Sequence, residues 1–374
     1  MRLDPTVPPR SLRLAGRPLP VVGRARVYVC GITPYDVTHL GHAATFVWAD
    51  VAVRVLRDLG ADVEVCRNVT DVDDVLLAAA ERAGTSYDSF AALQQFRFDQ
   101  DMAALGVRRP SHEPRAHNFV REVVALAAAL LERGAAYAAS GSVFFPGAPV
   151  VERAGLERDA ALALLAEFGG RVDDPAKRDP LDVAVWQAVP GAEPAWPSPW
   201  GPGRPGWHAE CTAMALATFG PALDLHAGGA DLRFPHHAFE AAQAEAVTGV
   251  VPFARAWLHA GTVHVGGAKM AKSAGNLVLV ADLLRQHRPG AVRLLLLDRP
   301  WAQPWDYQAA DLDRCEERLD ALFAAAARPG GGDAAVAAVR AALLDDLDVP
   351  HAVEVALEAG DRAARTLTGL LGLT

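Results

Sequence analysis

Two of the chain's three lysines stand three apart in Lys269-Met270-Ala271-Lys272-Ser273, while thirty-three arginines carry the rest of the positive charge. An ammonium on a flexible stem is a compact point charge that a planar guanidinium does not reproduce, so the segment reads as one that handles phosphate. A charged surface turn is the plainer reading. It must also accommodate Gly266-Gly267 just before and Ser273-Ala274-Gly275-Asn276 just after. A second group is His39-Leu40-Gly41-His42. Two imidazoles three apart on one helical face, at a helix start whose free N–H groups attract anions, can donate to phosphate oxygens as charge develops on them. Gly41 lets a flat base or a phosphate approach the backbone. A third group is dispersed: Cys30, Cys211, and His236 with Glu240 one helical turn on. Thiolate, thiolate, imidazole and carboxylate suit tetrahedral zinc, although Cys30 alone reads equally as a small core residue and the histidines as a satisfied turn.

The elements that would position these groups follow from spacing. Arg26 to Ile32 reads as a buried strand whose exit is eased by Gly31. Leu40, Ala44, Val47, Val51, Val55 and Leu59 keep helical spacing from His39 to Leu59, with Thr38 as the expected cap and Gly60 as the stop. A strand from Val63 to Val69 completes a parallel strand–helix–strand crossover, hence a nucleotide-binding α/β sheet. The first turn lacks Gly-x-Gly-x-x-Gly, which argues against a dinucleotide fold of the usual kind.

Residues 111–189 read as an insertion of helices with a strand at Ser142-Val143-Phe144-Phe145. Pro190 to Pro205, with six prolines and Trp196 and Trp200, reads as an ordered loop that cannot be helix. A second sheet-forming half runs to about residue 280, and helices follow to Thr374, broken at Pro329-Gly330-Gly331-Gly332.

Composition narrows the class. At 374 residues the chain suits two domains or one with an insertion. No apolar run is long enough for a membrane helix, and the start, Met1-Arg2-Leu3-Asp4-Pro5, offers no signal-peptide core, so a cytoplasmic location is expected. Four dispersed cysteines fit reduced thiols. A net charge of −9 gives no basic footprint for nucleic acid.

His-Leu-Gly-His followed by Lys-Met-Ala-Lys-Ser on an α/β frame resembles the class I aminoacyl-tRNA synthetase superfamily, with Ala271 in place of the usual serine. The resemblance implies a Rossmann-like parallel sheet with a connective insertion and a C-terminal helical domain. It makes residues 1–305 the catalytic domain and 306–374 a helical bundle, with no anticodon-binding domain. It also implies that His39, His42, Lys269 and Lys272 stabilise charge as a carboxylate attacks the α-phosphate of ATP, and that Gly41, Gly229, Asp231, Met270 and Ser273 join them in holding ATP, accompanied by Mg²⁺. Within the superfamily the chain is similar to cysteine-activating enzymes. That likeness spans residues 26–350 and is carried by Asn68-Val69-Thr70-Asp71-Val72-Asp73-Asp74, Asp101 to Gly106, Ser198 to His208 and Gly228 to His237. It implies one zinc at Cys30, Cys211, His236 and Glu240 that captures the substrate thiolate, and contacts to cysteine from Cys30, Thr33, Thr70, Trp207 and Asp231.

The acceptor of the activated cysteine is the open question at this level. Asp311 to Thr374 holds twelve acidic residues, six arginines and no lysine, a net charge near −6 where a tRNA would have to lie. Cys30 to Thr45 resembles the mycothiol-pathway cysteine ligases of actinobacteria, which use the amine of glucosaminyl-inositol. Glu240 and Glu113-Pro114-Arg115-Ala116 are nearer the tRNA enzymes. The first reading is therefore a monomeric ligase joining cysteine to a small amino sugar, with Asp71, Asp73 or His117 as proton acceptor. A truncated tRNA ligase, a paralogue with another amine acceptor and a non-catalytic sensor are the alternatives.

Overall fold

A computed structural model describes residues 11–373 apart from 36, 73, 190, 192–193 and 272–273. A hairpin, β1 (Leu12–Leu14) and β2 (Arg17–Leu19), precedes the central unit: β3 (Arg24–Ile32), α1 (Leu40–Asp58) and β4 (Asp62–Val69). Helices α2 (Asp74–Arg82) and α3 (Tyr87–Ala104) follow. The strand–helix–strand reading holds to within two residues at each boundary. Gly60 stops α1 at φ 88°, with its N–H on Arg57 and the next N–H on Leu56, which satisfies the last carbonyls of the helix. Thr38 does not cap the start. His39 is the N-cap residue, in extended conformation, and the Thr38 hydroxyl bonds Asp101 instead. Gly31 is required for a reason other than an exit turn: a Cβ there would lie 1.7 Å from the Asn68 carbonyl oxygen of the paired strand.

The insertion contributes α4 (Val120–Glu132), β5 (Tyr137–Ala139), β6 (Ser142–Phe145), α5 (Ala148–Ala154), α6 (Arg158–Glu167), β7 (Val183–Ala188) and β8 (Gly203–Pro205). Its antiparallel sheet, in the order β5-β6-β7-β8, has its own core with Trp186 at the centre. The sheet ends at 205 and not at 189, because the proline-rich segment folds back: Trp196 and Gly203 exchange backbone hydrogen bonds at 2.9 and 3.0 Å. No helix occurs there among the described residues.

Then come α7 (Trp207–Phe219), β9 (Leu223–Gly229), α8 (His236–Thr248), β10 (Ala254–Ala260), β11 (Val263–Val265), β12 (Ala268–Lys269), α9 (Val280–Leu284), α10 (Pro289–Leu297), β13 (Trp305–Asp306), and helices α11 (Ala310–Ala327), α12 (Asp333–Leu344), α13 (Val349–Ala359) and α14 (Asp361–Leu371). The central sheet is parallel throughout, in the order β10-β9-β3-β4. The chain leaves β3 on one side to form β4 and returns on the other to form β9. A crevice opens where the direction reverses, beyond the carboxyl ends of the strands. Alternation along β3 assigns the faces: Ala25, Val27 and Val29 join the core around α1, whereas Tyr28 and Cys30 point to the core shared with α7 and α8.

The C-terminal helices are tied to the sheet through a buried ion pair. Arg293 on α10 bonds Asp50 on α1, the carbonyl of Leu371 on α14 and, at 2.9 Å, the carbonyl of Leu105. Both charged side chains are nearly solvent-free, at 1% and 3% exposure. Removing one partner leaves an uncompensated buried charge and unmet carbonyls. Arg293→Ala should therefore lower the unfolding free energy by about 3 to 5 kcal/mol, read as a shift of the urea midpoint, and an unchanged midpoint would show the pair to be dispensable.

Candidate active site and metal cluster

A cavity of about 530 Å³ occupies the crevice. The strand ends supply Cys30, Thr33, Gly229 and Ala260, the start of α1 supplies His39, Gly41 and His42, and the lysine segment supplies Lys269 and Met270. Thr70, Trp207, Cys211, Asp231 and His236 also line it, whereas Glu240 lies behind them and does not. Lys272 and Ser273 lie outside the described residues, as does Asp73. Asp71 and His117 do not line the cavity. They pair with each other at 2.6 Å, Asp71 also accepting the His117 backbone N–H at 3.0 Å.

Local folding brings the two phosphate-type motifs together. The two-residue turn between β11 and β12 is Gly266-Gly267, with φ of 62° and 78°, the pair of positive values a tight hairpin demands. Past β12 the side chain of Asn276 accepts the Ala271 N–H at 2.9 Å and donates to the Lys269 carbonyl at 3.3 Å, folding the lysine segment on itself. The chain then pairs with the histidine segment: Leu40 N–H donates to Val278 at 2.9 Å and Val280 N–H to Thr38 at 3.0 Å. His39 and His42 stack with ring centroids 3.8 Å apart. Lys269 Nζ lies 3.1 Å from Asp231 Oδ2, so in this state the ammonium is paired with a carboxylate across the cavity.

Beneath the cavity floor the cysteine, histidine and glutamate residues converge. Ligand atoms of Cys30, Cys211, His236 and Glu240 all lie within 4.8 Å of one another, and so do those of Cys30, His226, His237 and Glu240. Glu240 is the hub. One oxygen is 2.6 Å from His236 Nε2 and accepts from Cys30 Sγ at 3.3 Å, and the other is 2.6 Å from His226 Nε2. Asn68 Nδ2 donates to Cys211 Sγ at 3.0 Å, and Trp207 stacks on His236 with centroids 4.1 Å apart.

Burial pushes the Cys30 thiol well up, helped by its hydrogen bond to Cys211 and by Glu240. Burial acts on Cys211 the same way, yet the bond from Cys30 and the charge of His236 outweigh it and hold that thiol below its ordinary value. Burial would neutralise His236, but Glu240 and Cys211 push it up to about 10. Glu240 is held well below the carboxylate range, against its own burial, by His236 and His226. His208 and His237 are driven well down by burial and by neighbouring imidazoles. The cluster thus sets a positive His236 imidazole beside an anionic carboxylate and a thiol whose ionisation it favours.

Sequence reasoning did not select His226, His237, Asn68 or His208. The one signal for His226 was a histidine inside the apolar strand Leu223-Asp224-Leu225-His226-Ala227. The donor set suits a metal of zinc type: Cys30 and Cys211 form no disulfide, and His226 Nδ1 and His237 Nε2 of the second set are buried with no hydrogen-bond partner among the described residues.

Ligases named L-cysteine:1D-myo-inositol 2-amino-2-deoxy-alpha-D-glucopyranoside ligase are similar to this chain over most of their length. The protein of Mycolicibacterium gilvum (strain PYR-GCK) is 46% identical over 347 residues, covering 90% of this chain and 78% of that protein. That of Frankia casuarinae is 43% identical over 372 residues, covering 94% and 80%. The family model for the tRNA synthetases class I (C) catalytic domain matches residues 20–317. The chain belongs to that family. Solved class I synthetases share its fold. The Mycobacterium tuberculosis methionyl-tRNA synthetase with methionyl-adenylate gives a TM-score of 0.63 at 17% identity, covering 94% of this class I chain and 82% of the other. The Agrobacterium radiobacter K84 LeuRS gives 0.63 at 11% identity, covering 99% and 84%. Among the described residues of this class I chain no helix is long and apolar enough to cross a membrane.

Proposed function

We propose that the chain activates L-cysteine with ATP and transfers the cysteinyl group to the amine of glucosaminyl-inositol. One observation carries this reading: a buried thiol-rich cluster opens onto the same cavity as His39, His42 and Lys269, in a chain 43–46% identical to ligases named for that reaction. The carboxylate of cysteine attacks the α-phosphorus of ATP and pyrophosphate leaves. The acceptor amine then attacks the adenylate carbonyl, forming an amide with release of AMP and loss of one proton to water.

His39, His42, Lys269 and Lys272 are assigned to the charge that grows on the phosphate oxygens, an electrostatic task in a partly enclosed site, with Gly41, Gly229, Met270 and Ser273 shaping the nucleotide's seat and Mg²⁺ accompanying ATP. Asp231 is assigned to the cysteine ammonium. Lys269 Nζ lies 3.1 Å from the same carboxylate, so a substrate ammonium there would compete with the lysine and free it for the triphosphate. Thr33 and Thr70, hydroxyl to hydroxyl at 2.7 Å, and Trp207 border the cysteine. Cys30, Cys211, His236 and Glu240 would hold zinc. They are preferred over the set with His226 and His237 because Cys30, Cys211 and His236 line the cavity, and a catalytic metal needs an open position facing substrate. Zinc bound there favours ligation by a thiolate over a serine hydroxyl, which accounts for selection of cysteine. Asp71 and His117, paired outside the cavity, are not assigned to the transfer step.

Cysteine-dependent exchange of pyrophosphate into ATP, followed by parallel trials of glucosaminyl-inositol and tRNA, tests the whole reading. Turnover with the amino sugar should exceed charging of tRNA by orders of magnitude, and efficient tRNA charging would overturn the acceptor assignment. Lys272→Ala, and less severely Lys269→Ala, should slow adenylate formation by roughly 10² to 10³ with cysteine affinity nearly intact. Lost cysteine affinity with unchanged single-turnover chemistry would place the lysines in the wrong role. Elemental analysis of metal-replete protein should give one zinc per chain, lost on Cys211→Ala. A substoichiometric content that this substitution leaves unaffected would remove the site.

A further inference from the structure

A second cavity, of about 220 Å³, lies beside the first. Trp207 and Phe168, with rings stacked at 6.1 Å, line both, so the two spaces are separated only by this aromatic pair and its neighbours. Its polar wall is assembled from three elements. Asp74, at the start of α2, pairs with Arg204 of β8 and, at 3.2 Å, with Arg171 from the loop after α6, and it keeps 63% of its side chain exposed. Gln187, His208 and Lys177 add to that wall, Lys177 being the only lysine of the chain outside the Lys269–Ser273 motif.

The loop that carries Lys177 is fixed. Its backbone N–H bonds Asp174 at 3.1 Å, Arg178 N–H bonds the Tyr137 hydroxyl at 2.7 Å, and Asp179 takes Arg158 through two bonds of 3.0 and 2.8 Å. The Lys177 ammonium itself forms no ion pair among the described residues. Burial lowers its pKa while Asp174 and Asp182 act on it from a distance. Lys177 thus borders the cavity from a loop held by these bonds, partly buried and with its charge within reach of a bound molecule or water.

We propose that this second cavity binds the ring of the acceptor that lies farther from the reacting amine, a neutral polyol, with Lys177 and Arg171 as hydroxyl-recognising residues. The inference rests on the acceptor assignment made above. Charge favours a polyol over a phosphate-bearing acceptor: the cations Arg171, Arg204 and Lys177 are matched by Asp74, Asp174 and Asp182, so little net attraction remains for an anion. Hydroxyls both donate and accept, which suits a wall carrying ammonium, guanidinium and carboxylate together, and an aromatic face beside them suits the C–H face of a sugar ring. An acceptor of two rings would pass the edge of Trp207, with its amine in the first cavity and its second ring in this one.

The test uses wild type, Lys177→Met and Arg171→Ala with glucosaminyl-inositol and, in parallel, with glucosamine, which lacks the second ring. Each substitution should raise KM for glucosaminyl-inositol roughly tenfold, the loss of one charge-assisted hydrogen bond. Pyrophosphate exchange and turnover of glucosamine should match wild type. If wild type turns over glucosaminyl-inositol but its KM is unchanged in both variants, the subsite is overturned and the parent reading stands. If both acceptors and the exchange reaction lose rate together, Lys177 and Arg171 are structural, and the subsite is again overturned. If wild-type protein does not use glucosaminyl-inositol at all, the parent reading fails and this inference fails with it.

Discussion

The site depends on a carboxylate that has no access to water. Glu240, on α8, is 1% exposed and would not ionise there unless its neighbours compensated, yet His236 and His226 bracket its two oxygens at 2.6 Å and keep it charged. Each partner arrives on a different element. His236 comes from one turn earlier on α8, His226 from the middle of β9 and Cys30 from the end of β3. One buried charge therefore ties α8 to the sheet through β9 and β3 and holds the Cys30 thiol at the cavity. Loss of the charge would leave two imidazoles and a thiol to find other partners in a core packed by Tyr28, Met214 and Phe253.

The phosphate side of the cavity is held by other means. Few buried charges are involved; backbone pairing of residues 38–40 with 278–280 and the side chain of Asn276 set the separation of the histidine and lysine motifs. Motifs more than two hundred residues apart in sequence are thereby joined by a short ladder, which sets Lys269 at the end of β12 near the start of α1. The Lys269–Asp231 pair is half exposed and contributes little to stability. Such a pair can change partners at little cost to the fold.

What was legible in the sequence was local periodicity and residue type. The β3–α1–β4 unit was readable because apolar spacing and Gly60 agree, and the cavity set was readable because histidine pairs, lysine pairs and cysteines are chemically conspicuous. What was not legible needed three dimensions. Thr38 looked like a cap, but a hydroxyl bonds whatever carboxyl lies nearest, and tertiary packing brings Asp101 there. The proline-rich segment looked like a loop, and only the partner strand β7 turns 203–205 into an edge strand. Asn68 and His226 act through neighbours distant in sequence, so no spacing rule could single them out. Asp71 and His117, named as proton acceptors from their residue types, pair with each other at 2.6 Å and do not line the cavity, a placement that no spacing in the sequence could give.

The C-terminal helices bear on the acceptor through where their cations go. All six arginines between residues 311 and 374 are engaged within the protein: Arg314 with Asp311, Arg318 with Glu354, Arg328 with backbone carbonyls, Arg340 with Asp58 of α1, Arg362 with Asp333 and Arg365 with Asp361. Twelve acidic side chains share this segment, Asp313, Glu317, Asp320, Glu354 and Glu358 among them exposed. A polynucleotide laid along this surface would meet like charge and would have to break internal pairs to gain contacts, while releasing few counterions. A small neutral acceptor entering beside Trp207 meets none of that resistance. Of the chain's three lysines, Lys269 borders the first cavity and Lys177 the second. Charge distribution and cavity shape thus favour the same direction of approach for the acceptor, from the insertion side of the sheet and away from the helical bundle.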